Sequence, residues 1–161
     1  MKTLVTVCVL SLIVTSSSCA PPGEELNGTW SVVGGGFTPT QSLEIRYVFS
    51  ARSGETGMYR GSIISKDTSD SCQTTTSATG SWSATSDTLT RTITGGDSVT
   101  TGCTDSTKNA AMKSETVADL NAFGLIFSGS YGWAVKGDEL TLTKLSDLKP
   151  EDKPSVMKRV K

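Results

Sequence analysis

Histidine is missing from all 161 residues, and with it go the usual general base, the serine triad and the common zinc sites. Carboxylates such as Asp67, Asp70, Asp105, Glu115 and Asp119 fall into no catalytic spacing and read as loop solvation and capping. The triplet Gly34-Gly-Gly36 precedes no helical pattern, so it makes no phosphate loop. No Cys-x-x-Cys occurs. The expectation is a non-enzyme with no cofactor and no metal site. Excess charge is absent too: 15 basic side chains face 16 acidic ones, which leaves no electrostatic footprint for nucleic acid. The longest apolar run, Leu4 to Val14, spans 11 residues, too few to cross a bilayer as a mature helix.

What is present is a hairpin pattern written twice. Trp82, Asp87, Leu89, Thr90 and Thr92 recur as Trp133, Asp138, Leu140, Thr141 and Thr143, 51 residues on. Ser86-Asp87 and Gly137-Asp138 tolerate the left-handed backbone of a two-residue turn, and β-branched threonines fill the strand that follows. Other strand signals lie at 30–33, 43–50, 58–65 and 125–130, separated by Gly- and Ser-rich turns. In Leu43-Glu-Ile45-Arg-Tyr47-Val-Phe49 the apolar residues alternate with polar ones, so one face is buried and one is wet. About eight strands in 120 residues predict an all-β fold, a single up-and-down antiparallel β-barrel, which leaves no exposed sheet edge. One short helix is expected over 114–124, lying across a barrel end with Ser or Thr at its front and Gly124 behind.

The ends of the chain read differently. Met1-Lys2, the apolar run and Ser16-Ser-Ser-Cys19 form an export signal. Removal of residues 1–18 leaves Cys19 first, a short tether over 19–25, the barrel over 26–145 and a tail over 146–161. That tail carries five basic and three acidic residues with two prolines, and it reads as disordered and solvated. Cys8 leaves with the signal, so Cys72 and Cys103 remain to form a disulfide, as an oxidising compartment favours. If one antiparallel ladder runs from both cysteines to the Ser86-Asp87 turn, the bridge staples that hairpin's open end. If Gly95-Gly96 turns the chain instead, it ties neighbouring strands. In the chain-entropy model either closure stabilises by roughly 3–4 kcal/mol.

Ser-Ser-Ser-Cys19 after an apolar run resembles a bacterial lipoprotein signal, in which the cysteine is lipidated. Several acyl chains on Cys19 would anchor the chain stably to a membrane. Leu26-Asn-Gly-Thr-Trp30, Tyr47-Val-Phe49, Gly80-Ser-Trp82 and Trp133 to Leu140 resemble bacterial lipocalin-like lipoprotein domains over about residues 26–145. That resemblance implies an envelope location, ordinary secretion being the alternative, and a barrel able to hold a small hydrophobic ligand. It also implies an arginine near the last strand stacked on the first tryptophan, a place for which Lys144 is the nearest cation and would make a weaker contact without the planar stack. Trp30, Trp82 and Trp133 are either barrel core, with their indole N–H groups on backbone carbonyls, or a ligand-lining cluster with Tyr59 and Phe127. The alternative function is a protein-interaction module, structural or hydrolase-inhibiting, that works through loops 51–57 or 66–71.

Overall fold

The structure is a computed structural model that describes residues 21–35, 38–51, 54–122, 128–145 and 153–161. The signal sequence, Cys19, Phe127 and residues 146–152 lie outside them. The described chain builds nine strands: β1 (Gly28–Gly35), β2 (Gln41–Ala51), β3 (Thr56–Asp67), β4 (Gln73–Ala84), β5 (Thr88–Thr101), β6 (Ala110–Glu115), β7 (Gly129–Lys136), β8 (Glu139–Lys144) and β9 (Ser155–Arg159). Eight of them close an antiparallel barrel in the order β1-β2-β3-β4-β5-β7-β8-β9 and back to β1, while β6 lies outside on β5. The expected fold class is therefore found. Among the described residues one short α-helix, α1 (Val117–Asn121), stands within the span expected over 114–124, and it starts later than expected because residues 110–115 are drawn into β6.

Both hairpins form at their expected turns. In the first, the Thr85 N–H donates to the Thr88 carbonyl at 2.8 Å, and the Asp87 carboxylate accepts from the Thr85 and Thr88 hydroxyls. In the second, Gly137 has φ 61°, the conformation the turn requires and glycine adopts without penalty. β5 runs straight through Gly95-Gly96 to Thr101, so Cys72 and Cys103 do close the open end of the β4–β5 hairpin. A bulge at Thr79/Gly80 leaves Thr94 as the extra residue. There a Cβ on Gly80 would sit 2.0 Å from the Thr92 carbonyl oxygen.

The tail is where the reading from sequence fails. Residues 155–159 are not disordered: as β9 they pair with both β1 and β8 and complete the barrel, which therefore runs to Arg159 rather than ending at 145. Met157 is 1% exposed and points into the core, while Lys158 pairs outside with Glu139. The tether is corrected in part as well. Pro21 packs on Gly54, Gly23 packs against the Trp82 ring, and Leu26 is fully buried. These residues form a short 3-10 turn over 24–26 that covers one barrel end.

The core fills that end. Trp30, Phe49, Tyr59, Trp82, Leu89, Leu140 and Met157 are all buried, with Phe49 meeting the Trp82 ring edge-on at 6.1 Å, a favoured aromatic geometry. Toward the other end α1 inserts Leu120, fully buried, against Gly96 of β5. The helix starts on a capping box in which Thr116 and Asp119 bond reciprocally, satisfying two donors that a helix start leaves open.

Several exposed carboxylates lock turns in the same way. Hydrogen bonds from Ser69, Lys108, Thr107, Thr116 and Lys158 hold Asp67, Asp70, Asp105, Asp119 and Glu139 below their ordinary pKa values. A depressed folded pKa stabilises above the ordinary value, 3.8 for aspartate, and that contribution is lost as pH falls through the lower folded value. With no histidine to titrate between about pH 5 and 8, the melting temperature is expected to be level across that window and to fall only below about pH 4. A transition centred near pH 6 in a series of thermal melts would contradict this assignment.

Candidate functional site

The three tryptophans each donate to a backbone carbonyl: Trp30 to Leu26 at 2.8 Å, Trp82 to Met58 at 3.1 Å and Trp133 to Thr85 at 3.1 Å. Trp30 and Trp82 belong to the buried core, and Trp133 packs partly buried against it. Gly57 shows how tightly Trp82 is seated, since a Cβ there would lie 2.6 Å from its indole nitrogen. Trp30 and Trp82 are buried at the closed end, Trp133 is partly buried against the core, and Tyr59 is 3% exposed. None of these four lines the barrel's cavity. These four residues therefore lie apart from that cavity, and Phe127 lies outside the described residues.

The cavity, about 270 Å³, is lined elsewhere. Val32, Ile45, Leu142 and Met157 give it apolar walls, Tyr47 and Tyr131 its aromatic faces, and Arg91, Lys144 and Lys153 its charge. Arg91 lies deepest. It is 2% exposed, with its guanidinium carbon 4.3 Å from the Tyr47 ring centre and 4.4 Å from that of Tyr131. Tyr59 stands farther off, at 5.9 Å. Arg91 also hydrogen-bonds Tyr47 and Tyr131.

Electrostatics at this site follow from that cage. Burying a guanidinium is costly, and contact with two aromatic faces returns part of the cost, about 2 kcal/mol for a desolvated contact. Burial opposes the charge on Arg91, but the phenol groups around it outweigh this and raise its pKa. Burial also raises the pKa of Tyr59 and Tyr131, against the pull of Arg91. At neutral pH the cage therefore holds a buried cation beside the neutral phenols of Tyr59 and Tyr131.

A second arginine closes the barrel. Arg159 of β9 lies 4.1 Å above the Trp30 ring and donates to the carbonyls of Glu25 and Asn27. Arg159, not Lys144, is the cation on the first tryptophan. Lys144 ends β8 beside the cavity instead.

No protein-family model and no curated protein matches the chain. The site is thus read from its own geometry. Sequence reasoning missed both arginines. For Arg91 a signal existed, since Leu89, Arg91 and Ile93 share the inward phase of one strand. Among the described residues, no group of histidine, cysteine and carboxylate side chains could hold a metal ion.

Proposed function

We propose that this chain is an exported, non-enzymatic envelope lipoprotein, anchored through a lipidated Cys19, whose lipocalin-like barrel binds a small molecule in the Arg91 cavity. One observation carries the binding role: a half-enclosed cavity with apolar walls and a few converging polar groups, the usual make-up of a ligand site. The Cys72–Cys103 bridge supports an oxidising compartment. The closed eight-stranded barrel and the stacking of Arg159 on Trp30 support the likeness to lipocalins. Fold likeness gives the class of molecule only loosely, so the site must identify it.

Native mass spectrometry of the exported chain tests this. The expected result is an oxidised protein carrying a small adduct that leaves on denaturation. An oxidised chain without an adduct, and with none after incubation with an envelope extract, would contradict the reading. A second reading, the protein-interaction module, draws on β6. Its outer edge pairs with no strand among the described residues, and Met112 on it is 72% exposed, an arrangement open to strand addition. The loops first considered for that role are less suited, because Gly54 is covered by Pro21 and Asp70 is tied to Lys108.

A further inference from the structure

Arg91 occupies a place where the same chain elsewhere puts leucine. In the first hairpin Trp82 pairs with Arg91; at the matching place in the second, Trp133 pairs with Leu142. Both partners are buried, at 2% and 4% exposure, and both line the same cavity. Leucine would fill this place without the desolvation cost of a charge, and replacing buried charges by apolar side chains is often neutral or stabilising. Packing alone therefore gives no reason for arginine at 91.

The surroundings point to a ligand of opposite charge. Lys144 and Lys153 join Arg91 in the lining, which holds no acidic side chain among the described residues. Resting on the small-molecule reading above, we propose that the cavity binds a small organic monocarboxylate. Its carboxylate seats on Arg91 beside the Tyr47 and Tyr131 hydroxyls, and its apolar body lies against Val32, Ile45 and Leu142. A guanidinium offers a planar fork that matches a carboxylate. Tyr131 donates its hydroxyl proton to the Ser128 carbonyl, and its raised pKa keeps it neutral, so it does not repel an anion. The two lysines stand at the end of β8 and just before β9, where positive charge draws anions inward. A volume of about 270 Å³ equals about nine water molecules, which suits a body of about that many non-hydrogen atoms and not a long-chain lipid.

Calorimetric titration of the exported chain with octanoate and with octan-1-ol tests the proposal, because the two differ chiefly in charge. Octanoate is expected to bind roughly 10- to 100-fold more tightly, the worth of a hydrogen bond to a charged group. Arg91→Leu is expected to erase that preference while melting at or above the parent temperature, and Arg91→Lys to keep a reduced preference. Equal affinity of the parent protein for the two probes would overturn the carboxylate assignment and leave the binding reading standing. Binding of neither probe would contradict the binding reading itself. A preference that survives in a folded Arg91→Leu variant would overturn the role of Arg91.

Discussion

A chain ending at Lys153 is expected to lose its cooperative fold. Removing residues 154–161 takes away all of β9, the strand that joins β1 to β8 and closes the barrel. It deletes Met157, 1% exposed in the core, and truncating a buried methionine even to alanine costs about 2–5 kcal/mol. It also strips Arg159 from Trp30 and leaves β1 and β8 as open edges, which invite association between chains. The sum rivals the whole stability of a domain, about 5–15 kcal/mol. Size-exclusion chromatography should show aggregates, and circular dichroism should show no sharp melt. If 146–161 were only a solvated tail, the shortened chain would melt within a few degrees of the parent.

Arg159→Ala should show the second largest effect, about 3 kcal/mol. The guanidinium lies 4.1 Å from the Trp30 ring, a contact worth about 0.5–2 kcal/mol. It also donates to the Glu25 and Asn27 carbonyls, and hydrogen bonds to charged groups contribute about 1.5–3 kcal/mol before allowance for non-additivity. For a domain of this size, the loss corresponds to a fall of about 10 °C in melting temperature. Arg159→Lys should recover only part of it, since lysine keeps the charge but not the planar stack or the fork. An alanine variant that melts with the parent protein would show that the stacking is incidental to closure.

These two effects fall where the sequence was hardest to read, and for a physical reason. Hairpins are local. The Asp87 and Gly137-Asp138 turns, the alternation from Leu43 to Phe49 and the spacing of Cys72 and Cys103 about the first turn were all legible from neighbouring residues. β9 is not local. It has five residues, of which only Met157 is buried, and two of the other four, Lys158 and Arg159, are charged. Its partner β1 lies more than a hundred residues earlier, so no nearby pattern announces the pairing. Its lysines and arginine, read as solvation, instead make contacts on the barrel wall: Lys158 with Glu139, Arg159 with Trp30 and Lys161 with Asp138.

The site was legible in outline and misplaced in detail. Aromatic residues on several strands pointed to a filled interior, and Trp30 and Trp82 do fill one end. The other part of the barrel keeps a cavity because its residues are shorter, among them Val32, Ile45 and Leu142. Arg91 is one of the few charges in a Ser- and Thr-rich stretch, and its inward phase with Leu89 and Ile93 marks it out. An inward charge on a strand is worth more notice than an inward tryptophan, because the tryptophan needs only packing while the charge needs a partner chemistry.

The measurement that tests the account most directly is an NMR titration that follows the Arg91 side-chain N–H resonances and the Tyr47 and Tyr131 rings as octanoate is added. The account predicts saturable shifts concentrated on those three residues and on Leu142, with the core around Trp30 and Trp82 unmoved. Saturable shifts confined to the outer surface, or none at Arg91 under saturating octanoate, would contradict it.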